Sequence, residues 1–198
     1  MAFDYAVALT GGIATGKSSA TVILSLYGFR FIDADKIAHA MLDQQYQKIA
    51  ELFGADYVVN EKVDRVKLGK LVFADTHKRK MLEALLHPLI YDEIVRLSEE
   101  QEKFKKPYIV DIPLFFENRR YPIKRSVVCY APKSTQIERL MKRDGYTEEE
   151  ALRRVESQMD IEEKRKLATY VIDNSKDLKQ LQNECQRVKD EIIADFVC

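Results

Sequence analysis

Gly11-Gly12-Ile13-Ala14-Thr15-Gly16-Lys17-Ser18 is the stretch on which the reading of this chain turns. It satisfies G-x-x-x-x-G-K-[ST], and its flanks are those the pattern needs. The apolar run Tyr5–Leu9 before it reads as a buried strand, and Ser19–Leu26 after it reads as a helix. A turn between strand and helix aims successive backbone N–H groups at one point, where the helix N-terminus adds partial positive charge. The glycines let the backbone approach an anion, Lys17 can reach the β- and γ-phosphates, and the Ser18 hydroxyl can ligate Mg²⁺. Gly11, Gly12, Ile13, Ala14, Thr15, Gly16, Lys17, Ser18 and Ser19 are therefore candidate nucleotide-binding residues. The stretch points to a nucleoside triphosphate.

The rest of the composition narrows the class. A length of 198 residues suits one α/β domain with a sizeable core and a small insertion or two. Lys+Arg and Asp+Glu both number 32, so no basic field favours nucleic acid. Cys129, Cys185 and Cys198 are odd in number and show no C-x-x-C spacing, which suggests a reducing compartment rather than a disulfide frame or zinc site. Cys129 lies in an apolar run and reads as core. No segment approaches the ~20 apolar residues of a membrane span, and the N-terminus lacks the basic and apolar regions of a signal peptide. The expectation is a cytoplasmic protein, a monomer or weak homo-oligomer, without membrane or nucleic-acid partners.

Five short apolar runs, Tyr5–Leu9, Phe29–Ile32, Tyr108–Ile112, Ser126–Tyr130 and Tyr170–Ile172, alternate with helical patterns. Such alternation predicts an α/β fold with a parallel five-stranded sheet flanked by helices. Residues 1–35, 106–133 and 168–198 would form the nucleotide-binding core. Residues 36–105 break the alternation with helical stretches, including Val66–Phe73 and Lys78–Glu102, and read as an inserted substrate-binding part. His87-Pro88 is expected to interrupt the second of these, because the residue before proline is pushed away from the α region. Residues 134–167 form a second insertion. Ser134 or Thr135 would cap its first helix, Asp144-Gly145 would end it, and Thr147 to Glu150 make a capping-box pattern for the next. Ile137, Leu140 and Met141 form an apolar stripe, while Gln136, Arg139 and Arg143 share another face. The first helix after the loop should end at Tyr27-Gly28, with Gly28 left-handed.

The guanine-specifying pattern N-K-x-D is absent, and no arginine-rich motor segment is present. What remains is a triphosphate-using domain with carboxylates after the second strand, Asp33 and Asp35, and arginines on a helical hairpin. Those parts suit phosphoryl transfer to a small hydroxyl acceptor. The transition state is loose, so catalysis is mainly positioning and charge neutralisation by Lys17, Mg²⁺, Arg139 and Arg143. Asp33 would orient the acceptor hydroxyl and take its proton. Asp33 and Asp35 could instead cap a helix starting near Lys36, the capping role falling first to Asp35. Asp111 could hold Mg²⁺ through water or could be a turn residue before Pro113. His87 fits a helix-end or packing role as readily as a site.

At these residues the chain resembles the dephospho-coenzyme A kinase family. The resemblance rests on Leu9-Thr10-Gly11-Gly12-Ile13 running into the loop, on Phe31-Ile32-Asp33-Ala34-Asp35-Lys36-Ile37-Ala38, and on Val63-Asp64-Arg65 and His87-Pro88. Ile112 to Glu117, the Gln136, Arg139-Leu140, Arg143-Asp144-Gly145 and Gln158 positions, and Ile172-Asp173-Asn174 continue it. The resemblance implies a P-loop kinase fold with a helical substrate domain and lid. It also implies transfer of the γ-phosphate of ATP to the 3′-hydroxyl of dephospho-coenzyme A. Asp33 becomes the base, Lys17 and Ser18 the phosphate and Mg²⁺ contacts, Arg143 a lid arginine, and Arg65 and His87 substrate-side residues. Ala14 stands where the family usually has glycine, and fits if its φ is negative. In Pro113-Leu114-Phe115-Phe116-Glu117 a phenylalanine stands for the second leucine of P-L-L-F-E, and the segment keeps its apolar character. Two rival readings are a kinase for another small alcohol and a nucleotide-dependent regulatory module.

Overall fold

A strand buried on both faces belongs in the middle of a sheet with helices on either side. All six residues of β1 (Ala6–Gly11) are buried in this way. In the computed structural model, which describes residues 2–196, β1 leads through the glycine-rich loop into α1 (Lys17–Leu26) and then β2 (Phe31–Asp33). There follow α2 (Ala34–Gln44), α3 (Tyr46–Phe53), the short strands β3 (Val58–Val59) and β4 (Lys62–Val63), α4 (Arg65–Ala74) and α5 (Thr76–Glu102). The chain returns through β5 (Tyr108–Asp111), α6 (Phe115–Asn118) and β6 (Arg125–Tyr130). Helices α7 (Lys133–Asp144), α8 (Glu148–Glu156) and α9 (Ile161–Leu167) precede β7 (Tyr170–Asp173) and α10 (Leu178–Phe196).

The five longer-range strands form one sheet in the order β2-β5-β1-β6-β7, with β1 parallel to both β5 and β6, and β6 parallel to β7. Each of the five expected apolar runs supplies one strand. Leu9 stands opposite Asp111 on one side and Val127 on the other. After β1 the chain crosses to one side of the sheet and later to the other. The carboxyl ends of β1 and β5 are therefore a topological switch point, where open α/β sheets place ligands.

The chain divides into two compact units, one made of the residues up to Ile32 and from Ser98 onward, the other of Asp33–Leu97. In the first, Val7, Leu9, Ile109, Val127 and Ile172 pack with Leu24 of α1 and with Leu181, Val188 and Ile192 of α10. In the second, Leu42, Ile49, Val63, Leu68 and Leu86 form a separate core. Asn60 and Glu61, both at positive φ, make the two-residue turn that pairs β3 with β4. No helix among the described residues is long and apolar enough to cross a membrane.

Three local expectations change. Pro88 lies inside α5 and does not interrupt it. It forfeits one backbone bond, to the Ala84 carbonyl, and buried Leu86 and Ile94 on either side hold the helix together. Helix α7 begins at Lys133 with Pro132 at its cap, so neither Ser134 nor Thr135 serves. Its buried residues are Gln136 and Leu140, whereas Met141 is 40% exposed. Gln136 goes inside because its amide donates to the Ala131 carbonyl at 2.9 Å, which removes the penalty for burying it. The expected ends at Gly28 and Gly145, both left-handed, and the Thr147 capping box are as the sequence indicates.

The thiols of Cys129 and Cys185 are free and buried, as core residues should be; Cys198 lies outside the described residues. Burial pushes both thiols up to about 12. An unfolded chain ionises them near pH 8.5, so the stability they contribute is full below about that pH and is lost as pH rises toward 12. Denaturant midpoints should fall between pH 8 and 10, less so in Cys129→Ala. Native protein at pH 8 should resist alkylation at Cys129 and Cys185 that occurs readily in urea; fast native labelling would contradict the burial.

Candidate active site

The turn between β1 and α1 has the form an anion-binding loop requires. Gly16 adopts φ 89, and a Cβ there would lie 2.1 Å from Asn174 Nδ2. A Cβ on Gly11 would meet Thr15 Oγ1 at 2.8 Å and the Cys129 carbonyl at 2.9 Å, and one on Gly12 would meet Gln136 Oε1 at 2.8 Å. All three positions therefore need glycine for space, and Gly16 for conformation as well.

The loop's carbonyls are taken up by surrounding side chains. Thr15 Oγ1 donates to the Gly12 carbonyl at 2.9 Å. The Thr15 carbonyl accepts from Asn174 Nδ2 at 2.8 Å and from the Cys129 thiol at 3.3 Å. Arg139 donates to the carbonyls of Asn174 at 2.8 Å and Ala14 at 3.4 Å. The Ile13 N–H is already used by Gln158 Oε1 at 2.8 Å. Asn174 follows β7, Arg139 is on α7 and Gln158 follows α8, so three distant segments converge on one turn.

Lys17 opens α1 and points its ammonium to Asp111 Oδ1 at 2.5 Å. Asp111 is the last residue of β5, 7% exposed, and lies at the switch point beside the loop. Ser18 and Ser19 are exposed on the first turn of α1. A cavity of about 540 Å³ beside the loop is lined by Gly16, Ser19, Arg139, Arg143, Asn174 and Leu178, among others. Arg143 is held by a two-pronged pair with Asp144, at 2.9 and 2.8 Å, which raises the guanidinium's pKa above its ordinary value. The loop, Lys17, Asp111, Arg139 and Arg143 thus belong to one unit.

The remaining expected residues belong to the second unit. Helix α2 starts at Ala34, not near Lys36, and its cap is Asp33, whose Oδ1 accepts from the Lys36 N–H at 3.0 Å. The capping role expected first of Asp35 thus falls to Asp33, because the helix starts two residues earlier; Asp35 lies in the first turn and is exposed. Arg65 opens α4 and pairs with Asp43, while its neighbour Asp64 caps the helix through the Lys67 N–H at 2.9 Å. His87 lies mid-helix on α5 and is half-buried.

Sequence reasoning missed Lys164. Its side chain is 0% exposed, pairs with Glu117 at 2.7 Å, and donates to the Gly11 carbonyl at 2.8 Å. It sits in the charged run Glu162-Glu163-Lys164-Arg165-Lys166, which reads as a solvated face, and nothing in that run singles it out. The segment Lys176-Asp177-Leu178, which also lines the cavity, carries no motif either.

The model of one protein family, dephospho-CoA kinase, matches residues 5–180. The chain belongs to the dephospho-CoA kinase family. A dephospho-CoA kinase of Sulfurimonas denitrificans is 54% identical, covering 100% of this chain and 98% of the relative. One from Helicobacter pylori is 46% identical, covering 94% and 97%. A solved structure of the dephospho-CoA kinase from Campylobacter jejuni superposes with a TM-score of 0.72 at 35% identity, covering 96% of this chain and 98% of that one. As a dephospho-CoA kinase family member the chain is an enzyme of the P-loop kinase fold.

Ala14 departs from its expected conformation. Its φ is 60, not negative as expected, so it occupies the left-handed region in which a Cβ crowds the backbone. Such a residue costs about 1–2 kcal/mol. Ala14→Gly should relieve part of it and raise the melting temperature by about 2–4 °C. Gly16→Ala should do the opposite. It should lower the melting temperature by at least as much and abolish ATP binding in calorimetry, since its methyl displaces Asn174. An Ala14→Gly protein no more stable than the parent would argue against the left-handed turn.

Proposed function

We propose that this chain transfers the γ-phosphate of ATP to the 3′-hydroxyl of the dephospho-CoA ribose, giving CoA and ADP in the final step of coenzyme A synthesis. The observation that carries the reading is the Lys17–Asp111 contact at the switch point, joined to a glycine-rich turn in a chain of this family. A loop of this geometry receives the phosphates on its N–H groups and Lys17, and the cavity lined by Arg139, Arg143 and Leu178 receives the rest of the nucleotide. Arg143 and Arg139 add positive charge where the transferring group and leaving oxygen need it.

Ser18 and Asp111 offer the hard oxygen donors that Mg²⁺ takes. Among the described residues no group of three or more His, Cys, Asp or Glu side chains forms a metal cage. That donor set fits a cation usually held by one or two protein oxygens together with substrate phosphates. When bound, Mg²⁺ neutralises charge developing on the phosphates. Asp33 acts as the base on the acceptor hydroxyl. Its capping bond fixes the carboxylate's orientation, and residues 36–105, with Asp35, Arg65 and His87, bind the dephospho-CoA. Residues 134–167 serve as the lid that excludes water from the transfer. Two buried free thiols fit a reducing, cytoplasmic setting.

The test is ADP release with ATP, Mg²⁺ and dephospho-CoA, run beside Asp33→Asn. Asparagine caps a helix about as well as aspartate, so the variant keeps its fold while losing the base. Release that depends on dephospho-CoA should fall by about 10²–10⁴-fold in the variant with ATP affinity unchanged. Equal turnover by both proteins would remove Asp33 from the mechanism, and acceptor-independent turnover would remove the acceptor.

A further inference from the structure

The stretch from Gln158 to Lys164, which follows α8 and enters α9, grips the phosphate-binding loop at two points. Gln158 Oε1 accepts the Ile13 N–H at 2.8 Å. Lys164 Nζ donates to the Gly11 carbonyl at 2.8 Å and pairs with Glu117 Oε1 at 2.7 Å. The same Glu117 oxygen accepts the Met159 N–H at 3.3 Å, so Glu117 is joined to both ends of the stretch. Its other oxygen, Oε2, is buried with no hydrogen-bond partner.

A lysine with 0% exposure is unusual and costly. A methionine or leucine would fill the space without burying a charge. What only the ammonium supplies is a donor to the Gly11 carbonyl. The Gly11–Gly12 peptide is planar and trans, so its C=O and N–H point in opposite directions. Holding the carbonyl therefore fixes the plane of the Gly11–Gly12 peptide, opposite Cys129 at the last rung of the β1–β6 pairing, and with it the direction in which the loop leaves the sheet. The Gln158 contact fixes the next peptide from its other side, by accepting the Ile13 N–H, and so directs the Gly12 carbonyl to the Thr15 hydroxyl.

We propose that Lys164, assisted by Gln158 and backed by Glu117, is a positioning residue that sets the shape of the phosphate-binding loop for ATP. The inference deepens the kinase reading and rests on it for the turnover measurements alone. Four full-length proteins test it: wild type, Lys164→Met, Lys164→Met with Glu117→Gln, and Gln158→Ala. For each, the Kd for ATP is measured by calorimetry, followed by kcat, the KM of each substrate and the melting temperature.

Lys164→Met should raise the Kd and KM for ATP tenfold or more and leave the KM for dephospho-CoA within twofold. Its melting temperature should fall, because Glu117 is left half-buried without its cation. Adding Glu117→Gln should return the melting temperature toward wild type but not the ATP affinity, since the Gly11 carbonyl still lacks its donor. Gln158→Ala, on a half-buried linker, should weaken ATP several-fold with little change in melting. Wild-type ATP affinity in the double variant would overturn the proposal. So would a loss confined to kcat that follows the folded fraction with both KM values unchanged. If the wild type itself fails to turn over dephospho-CoA, the reaction assignment fails, and the ATP Kd series still decides the role of Lys164.

Discussion

An anion-binding turn must point its N–H groups inward, and that geometry turns its carbonyls outward, where each needs a donor of its own. The structure meets this constraint at four of the turn's carbonyls. Gly11 is met by Lys164, Gly12 by the Thr15 hydroxyl, Ala14 by Arg139, and Thr15 by Asn174 and Cys129. These donors come from β6, α7, α9 and the end of β7, so much of the first unit is arranged around the back of one turn. The requirement also explains polar groups inside an otherwise apolar core. Lys164 and Asn174 are both buried, and each bonds to a carbonyl of the turn.

The inner side of the turn was legible in sequence and the outer side was not. Gly16 and Lys17 act through their own backbone and side chain at fixed local spacing, so a short pattern captures them. The strands were legible for a related reason: Val7 to Leu9 and Val127 to Cys129 are apolar on both faces because both faces are covered. The donors on the outer side reach the loop only through the tertiary fold. Lys164 stands 153 positions from Gly11, inside a charged run whose other members have no reason to be buried. Cys129 was read as plain core, correctly as to burial, yet its thiol also holds the Thr15 carbonyl. Local signals misled where packing outweighed them, as at Pro88 and at Gln136.

Asp33 shows how one residue serves two levels of the design. As the last residue of β2 it ends a strand, and as the cap of α2 it starts the second unit. A cap of this kind contributes about 1 kcal/mol, a structural gain independent of chemistry. The same bond, from the Lys36 N–H to Oδ1, removes rotational freedom from the carboxylate before any acceptor arrives. A base on a free loop would have to be ordered at the moment of reaction, and that ordering would raise the barrier. In the proposed mechanism Asp33 is cap and base at once, and the two roles do not compete.

Lys17 follows the same logic with the opposite charge. An ammonium at 22% side-chain exposure, beside a nearly buried carboxylate, is already partly desolvated and already aimed. In the proposed reaction, exchanging the Asp111 contact for phosphate oxygens would replace one charged partner by another with little further reorganisation of water. Asp111, at the end of β5, is in that proposed reaction the oxygen donor that a divalent cation beside the phosphates would need. The short Lys17–Asp111 bond thus joins the loop's cation, at the start of the helix that follows β1, to a candidate metal carboxylate at the end of the neighbouring strand β5, at the point where the sheet's winding reverses.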